Sequence, residues 1–203
     1  MKYYTLVFYL LLSTAIFSET SNDFENITVG FKVSKPADWH FGTAAQNREN
    51  LKRVELNDKK FKEFMVKYST APLVIMTKYA IPYDDLNPSF KVSIKPFGNL
   101  KDTDAKQILW LFIPQFEKVF KDFKLDQKPM DAKIGGLKAA YLRIHYNLVI
   151  PDGTTFPTTS ELWIVPRGDY FFMIGAGTRQ DEKTGTRAEI KKILSSIVIQ
   201  ADK

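Results

Sequence analysis

Four side chains in this sequence have the types and spacing that proton transfer or ligand binding requires: Arg143, His145, Glu161 and Trp163. A glutamate beside a histidine orients or charges the imidazole, and a partly buried pair of this kind exchanges protons near neutral pH. The same residues have a structural use, with Arg143 and Glu161 as a cross-strand ion pair and His145 filling space beneath a covering helix. Both uses stand at this level. Tyr141 accompanies them, and Trp39 and His40, which follow a Pro-Ala-Asp turn signal, make a second candidate patch, either a partner contact or a rim packed on the sheet. The candidate ligand or partner residues are therefore Tyr141, Arg143, His145, Glu161, Trp163, Trp39 and His40.

The elements that must position them lie in residues 134–178, read as three strands joined by two tight turns. Pro151-Asp152-Gly153 and Arg167-Gly168-Asp169 supply the backbone freedom that hairpins need, which predicts an antiparallel meander. Alternation sets the faces, because successive residues of a strand point to opposite sides. Leu142, Ile144, Tyr146 and Leu148 fall on one side of the first strand, and Leu162 and Ile164 on one side of the second. Matching these apolar sets puts Tyr141, Arg143, His145, Glu161 and Trp163 on a shared face. The third strand, from Tyr170 to Ala176, is apolar in both sets, as expected of a strand covered on both sides.

Other elements follow in chain order. Met1 and Lys2 precede an apolar run that ends near Ser18, which reads as a secretory signal peptide over residues 1–18. A flexible lead is expected over 19–26 and one domain over 27–200. A strand is expected from Ile27 to Val33, then a loop or weakly amphipathic helix from Thr43 to Glu55. A second helix has Phe61, Phe64, Met65 and Tyr68 as its buried stripe. Strands are expected at Leu73 to Ala80 and Ser89 to Pro96. A long helix from Asp102 to about Phe123, with Leu109, Phe112, Phe116, Phe120 and Phe123 as its stripe, is expected to cover one sheet face, kinked or interrupted near Pro114. Each fully buried aromatic would contribute about 2 kcal/mol. Thr186-Arg187-Ala188-Glu189 has the form of a capping box and opens a last helix carrying Ile190, Ile193, Leu194 and Ile197.

Composition narrows the function classes. The 203 residues contain no cysteine and two histidines, which leaves few means of thiol chemistry or transition-metal binding; no metal and no cofactor is expected. The sequence has no Walker loop, HExxH, GxSxG or dinucleotide fingerprint. The formal charge of +6, or +5 without Lys2, is lysine dispersed among acids, without the arginine-aromatic pattern of a nucleic-acid binder. The adjacent Asp84 and Asp85 lack the spaced ligand set of a calcium loop.

Several features together resemble the secreted PsbP-like domains: the turn Pro36 to Trp39, Gly135-Gly136 before Ala139-Ala140-Tyr141, Glu161 in the second strand, Gly168-Asp169-Tyr170 leading into Phe171-Phe172, and a last helix closing on Ser195-Ser196-Ile197. The resemblance spans residues 27–199. It implies a mixed α/β fold, a single α/β/α sandwich around a central, mostly antiparallel sheet, and a binding or accessory role. The expectation is thus an exported domain, periplasmic or extracellular, monomeric or weakly oligomeric, with no membrane span once the signal is removed. It would act on an unknown protein or envelope component; a small-molecule binder or hydrolase using the Arg/His/Glu face is the alternative.

Overall fold

A computed structural model describes residues 21–53 and 72–200. The expected signal peptide and the Phe61 to Tyr68 stripe lie outside the described residues.

A seven-stranded sheet forms the middle of the molecule. Its strands are β3 (His40–Phe41), β4 (Val74–Thr77), β5 (Ser89–Pro96), β6 (Lys121–Ile134), β7 (Leu137–Val149), β8 (Thr155–Arg167) and β9 (Tyr170–Arg179). Their spatial order is β3-β4-β5-β9-β8-β7-β6, and every described pairing is antiparallel. Strands β7, β8 and β9 are the expected meander. Gly153 and Gly168 take positive φ at its two turns, where a side chain on Cβ would be strained.

Each face of this sheet has its own core. On one, α2 (Ala105–Val119) buries Ile108, Leu109 and Ile113 against Ala140, Leu142, Ile144, Ile164 and Phe171. On the other, α3 (Arg187–Ser195) packs Ile190 and Ile193 with Trp163, Val165, Phe172 and Ile174. A small second sheet shares that layer. Its strands are β1 (Asp23–Asn26), β2 (Phe31–Ser34) and β10 (Val198–Ile199), ordered β1-β2-β10. The adjacent Phe171 and Phe172 serve opposite cores, as period-two alternation requires.

The architecture is the expected mixed α/β sandwich around an antiparallel sheet; residues 44–53 take the helical one of their two expected forms, and the other local differences are corrections. Asp23–Asn26 of the expected flexible lead is strand β1, tied to β2 from Asp23↔Ser34 to Asn26↔Phe31. The strand expected from Ile27 begins only at Phe31, because residues 27–30 turn and Gly30 has φ 56°. Residues 44–53 form helix α1. The long helix ends at Val119, and Phe120 and Phe123 lie beyond it. Ile108, Leu109 and Ile113 carry most of the burial, while Phe112 and Phe116 are only half-buried. Pro114 does not interrupt this helix. It sits on the exposed side of the helix, as does Trp110, whose carbonyl loses its N–H partner to the proline.

Strand β6 is a further difference, since no strand was expected over residues 121–134. Its alternating Lys and Asp and its Pro129 hide the periodicity, and its register shifts three times against β7. These are features of an edge strand protected from further pairing. Gly135 and Gly136, both at positive φ, close the β6–β7 hairpin in the manner of a type I′ turn.

Candidate functional site

The register between β7 and β8 places Tyr141 opposite Trp163, Arg143 opposite Glu161 and His145 opposite Thr159. Five of the seven candidate residues therefore share the sheet face that α3 covers. Tyr141 stacks on Trp163 with ring centroids 5.0 Å apart, which holds the phenol over Glu161.

The partners differ from those expected. Although Arg143 lies directly across from Glu161, its Nε donates to Asp126 of β6. Glu161 is instead taken by two other groups. Its Oε1 accepts from the Tyr141 hydroxyl at 2.5 Å and from Arg187 Nη2 at 2.7 Å, and its Oε2 accepts from Arg187 Nε at 3.3 Å. Only 7% of the Glu161 side chain is exposed. His145 has Asp126 as its acidic neighbour, with Nε2 at 3.8 Å. The histidine–glutamate pair is thus replaced by a chain of contacts running Asp126, Arg143, Tyr141, Glu161, Arg187, in which the Arg143–Tyr141 link is long at 3.5 Å.

Arg187 enters because the Thr186 capping box, formed as expected, places it at the start of α3. A charged hydrogen bond between the first turn of the helix and a sealed carboxylate fixes α3 to the sheet. Burial and the Glu161 carboxylate push the Tyr141 phenol well above its ordinary range, so it stays protonated and acts as a donor. A phenol held in this way is neither a base nor a nucleophile near neutral pH. Arg143, His145 and Asp126 keep about a quarter of their side chains exposed, and Met130, across from Tyr141, is exposed. What reaches solvent is a shelf of cationic, aromatic and thioether groups along β6 and β7.

The other pair separates. Trp39 is 1% exposed and belongs to the α3-side core, the packed one of its two expected uses; His40 lies exposed on edge strand β3. Trp163, 5% exposed, is likewise core. Asp85 pairs with Arg179 at 2.7 Å, and among the described residues no group of three or more His, Asp or Glu could hold a metal ion.

Asp126 and Arg187 were not among the candidate site residues. The capping box could have pointed to Arg187, and the Gly135-Gly136 pair could have revealed the hairpin that brings in Asp126. A pH dependence follows. The hydrogen bond from Arg143 holds the Asp126 carboxyl below its ordinary value of 3.8, and Arg179 does the same for Asp181. A depressed folded-state pKa contributes stability above the unfolded pKa and loses it as pH falls through the folded one. Thermal melts should therefore fall between about pH 5 and pH 2. Asp126→Asn should lower the neutral-pH midpoint and flatten part of that slope. A parallel downward shift at every pH would show that Asp126 carries no such linkage.

No protein-family model and no curated protein matches the chain. Among solved structures it is similar to a protein of Bacteroides thetaiotaomicron VPI-5482, with 14% identity over 90% of this chain and 49% of that one and a TM-score of 0.48; the chain spans about half the length of that protein. It is similar also to LpqN, involved in cell envelope biogenesis of Mycobacterium tuberculosis, with 14% identity over 91% and 87% of the two chains and a TM-score of 0.49. A third similarity is to cyanobacterial PsbP from Synechocystis sp. PCC 6803, with 12% identity over 88% and 91% and a TM-score of 0.48.

Proposed function

We propose that this chain is an exported, non-catalytic binding domain that engages a protein or envelope component through the shelf formed by β6 and β7. The observation that carries this reading is the fate of Glu161, the residue an acid–base mechanism would need. It is sealed, and both its oxygens are occupied by Tyr141 and Arg187. The partly open members of the cluster, Arg143 and His145, flank an exposed Met130. Arginine paired with an adaptable thioether suits a protein surface better than a turnover site. The export component rests on the N-terminal apolar run.

A photo-crosslinking amino acid placed at Met130 tests this in the native envelope, with the exposed Phe41 on β3, at the opposite edge of the sheet, as the control position. A partner captured at 130 and absent at 41, and weakened by His145→Ala with Lys124→Glu, is the expected result. Identical capture at both positions, or substrate turnover by the purified protein that requires His145, would overturn it.

A further inference from the structure

Strand β5 turns Lys91, Ser93 and Lys95 to the α2 side of the sheet, away from the core that receives Phe90 and Val92. The register carries that side across from Lys91 to Gly175 of β9, Leu162 of β8 and Leu142 of β7. Helix α2 packs chiefly over β6, β7 and β8, which leaves Lys91 and Gly175 to one side of it. Here β9 has glycine at two successive positions of the face. Neither Gly175 nor Gly177 has a positive φ, so the backbone does not call for glycine and the missing side chains only leave room. Among the described residues nothing lies within 4 Å of a Cβ built on Gly175, and only Ser89 Oγ, at 3.5 Å, lies near one built on Gly177. The two glycines floor a pit, and the half-buried Leu162 and Met173 are its apolar walls.

Lys91 stands directly across from Gly175, half-buried, and among the described residues no acid pairs with it. Ser93, next on the same face, is 5% exposed, and its hydroxyl has no partner among those residues either. Burial, and then the charge of Lys95, pull the Lys91 ammonium below its ordinary value. A partly desolvated cation without a counter-ion is a cost to the fold that an anionic ligand removes. From this arrangement we infer that the pit takes a small aliphatic carboxylate, its head on Lys91 and the Ser93 hydroxyl and its chain on Leu162 and Met173 over the glycine floor. One ammonium between apolar walls matches a single negative charge, and a phosphate dianion would be costlier to strip of water there. The pit opens on the opposite side of the sheet from the face of Arg143 and His145, and neither proposal depends on the other.

Sodium octanoate added to the full chain tests the inference. Acetylation of Lys91 by acetic anhydride, read lysine by lysine in peptide mass spectra, should fall as octanoate rises, while the exposed Lys101 and Lys183 react as before. In calorimetry Lys91→Met should weaken octanoate binding about tenfold or more. The same variant should not lower the thermal midpoint, because it removes an unpaired charge. Gly175→Val, which fills the pit and keeps Lys91, should abolish binding with circular dichroism unchanged. Undiminished binding by Lys91→Met would overturn the inference, as would a lack of any protection of Lys91 by octanoate. Equal protection by octanol would reduce the pit to an apolar slot, and equal protection by inorganic phosphate would make it a phosphate site; either result also overturns it.

Discussion

Phe172→Ala is expected to remove about 3–5 kcal/mol of folding stability, a large part of the 5–15 kcal/mol typical of a domain. Phe172 has no exposed surface and lies where two sheets meet. Its ring contacts Phe31 of β2 at 5.2 Å and Tyr170 edge-on at 5.5 Å. The space left by truncation would be walled by strands on both sides. Neither sheet can move in without breaking its own ladder, so collapse would be poor. Denaturant titration should show a lower midpoint at nearly unchanged slope. Loosening should concentrate in β1 and β2, which show as faster amide exchange there than around α2, because α2 rests on the opposite core. A loss below about 1 kcal/mol would mean that the small sheet is not anchored through this ring.

Glu161→Ala is the second large effect, expected to cost about 2–4 kcal/mol. The carboxylate is buried, and its removal leaves the Tyr141 hydroxyl without its acceptor and Arg187 without its partner. Because 30% of the Arg187 side chain reaches water, part of its charge is resolvated, which holds the loss below that of a fully buried broken pair. Tyr141→Phe removes one hydroxyl only and should cost about 1 kcal/mol. Arg187→Ala should be the worse of those two, since it strands a sealed carboxylate. A double-mutant cycle between Glu161 and Arg187 measures their coupling directly. Strong coupling with unchanged partner capture at Met130 would assign Glu161 to docking α3 on the sheet. Unchanged stability together with lost capture would assign it to the binding surface instead.

The sequence by itself determined the meander, its turns, the shared face of Tyr141, Arg143, His145, Glu161 and Trp163, and the capped last helix. These depend on local rules, in which period-two alternation, glycine at positive φ and a Thr-x-x-Glu cap act within a few residues. Strand β6 escaped because an edge strand is kept polar, with lysine and proline where a buried strand would have alternating apolar residues. The β1 segment escaped because only its pairing with β2 makes it a strand. The partners inside the site were decided by tertiary structure alone. Arg143 and Glu161 face each other in register, yet Arg143 bonds to Asp126 and Glu161 to Arg187, because the bulged β6 and the start of α3 bring closer charges to each. Trp39 was likewise decided by packing. A tryptophan at a proline turn can lie on the surface or under it, and here α3 and the small sheet build the core that receives it.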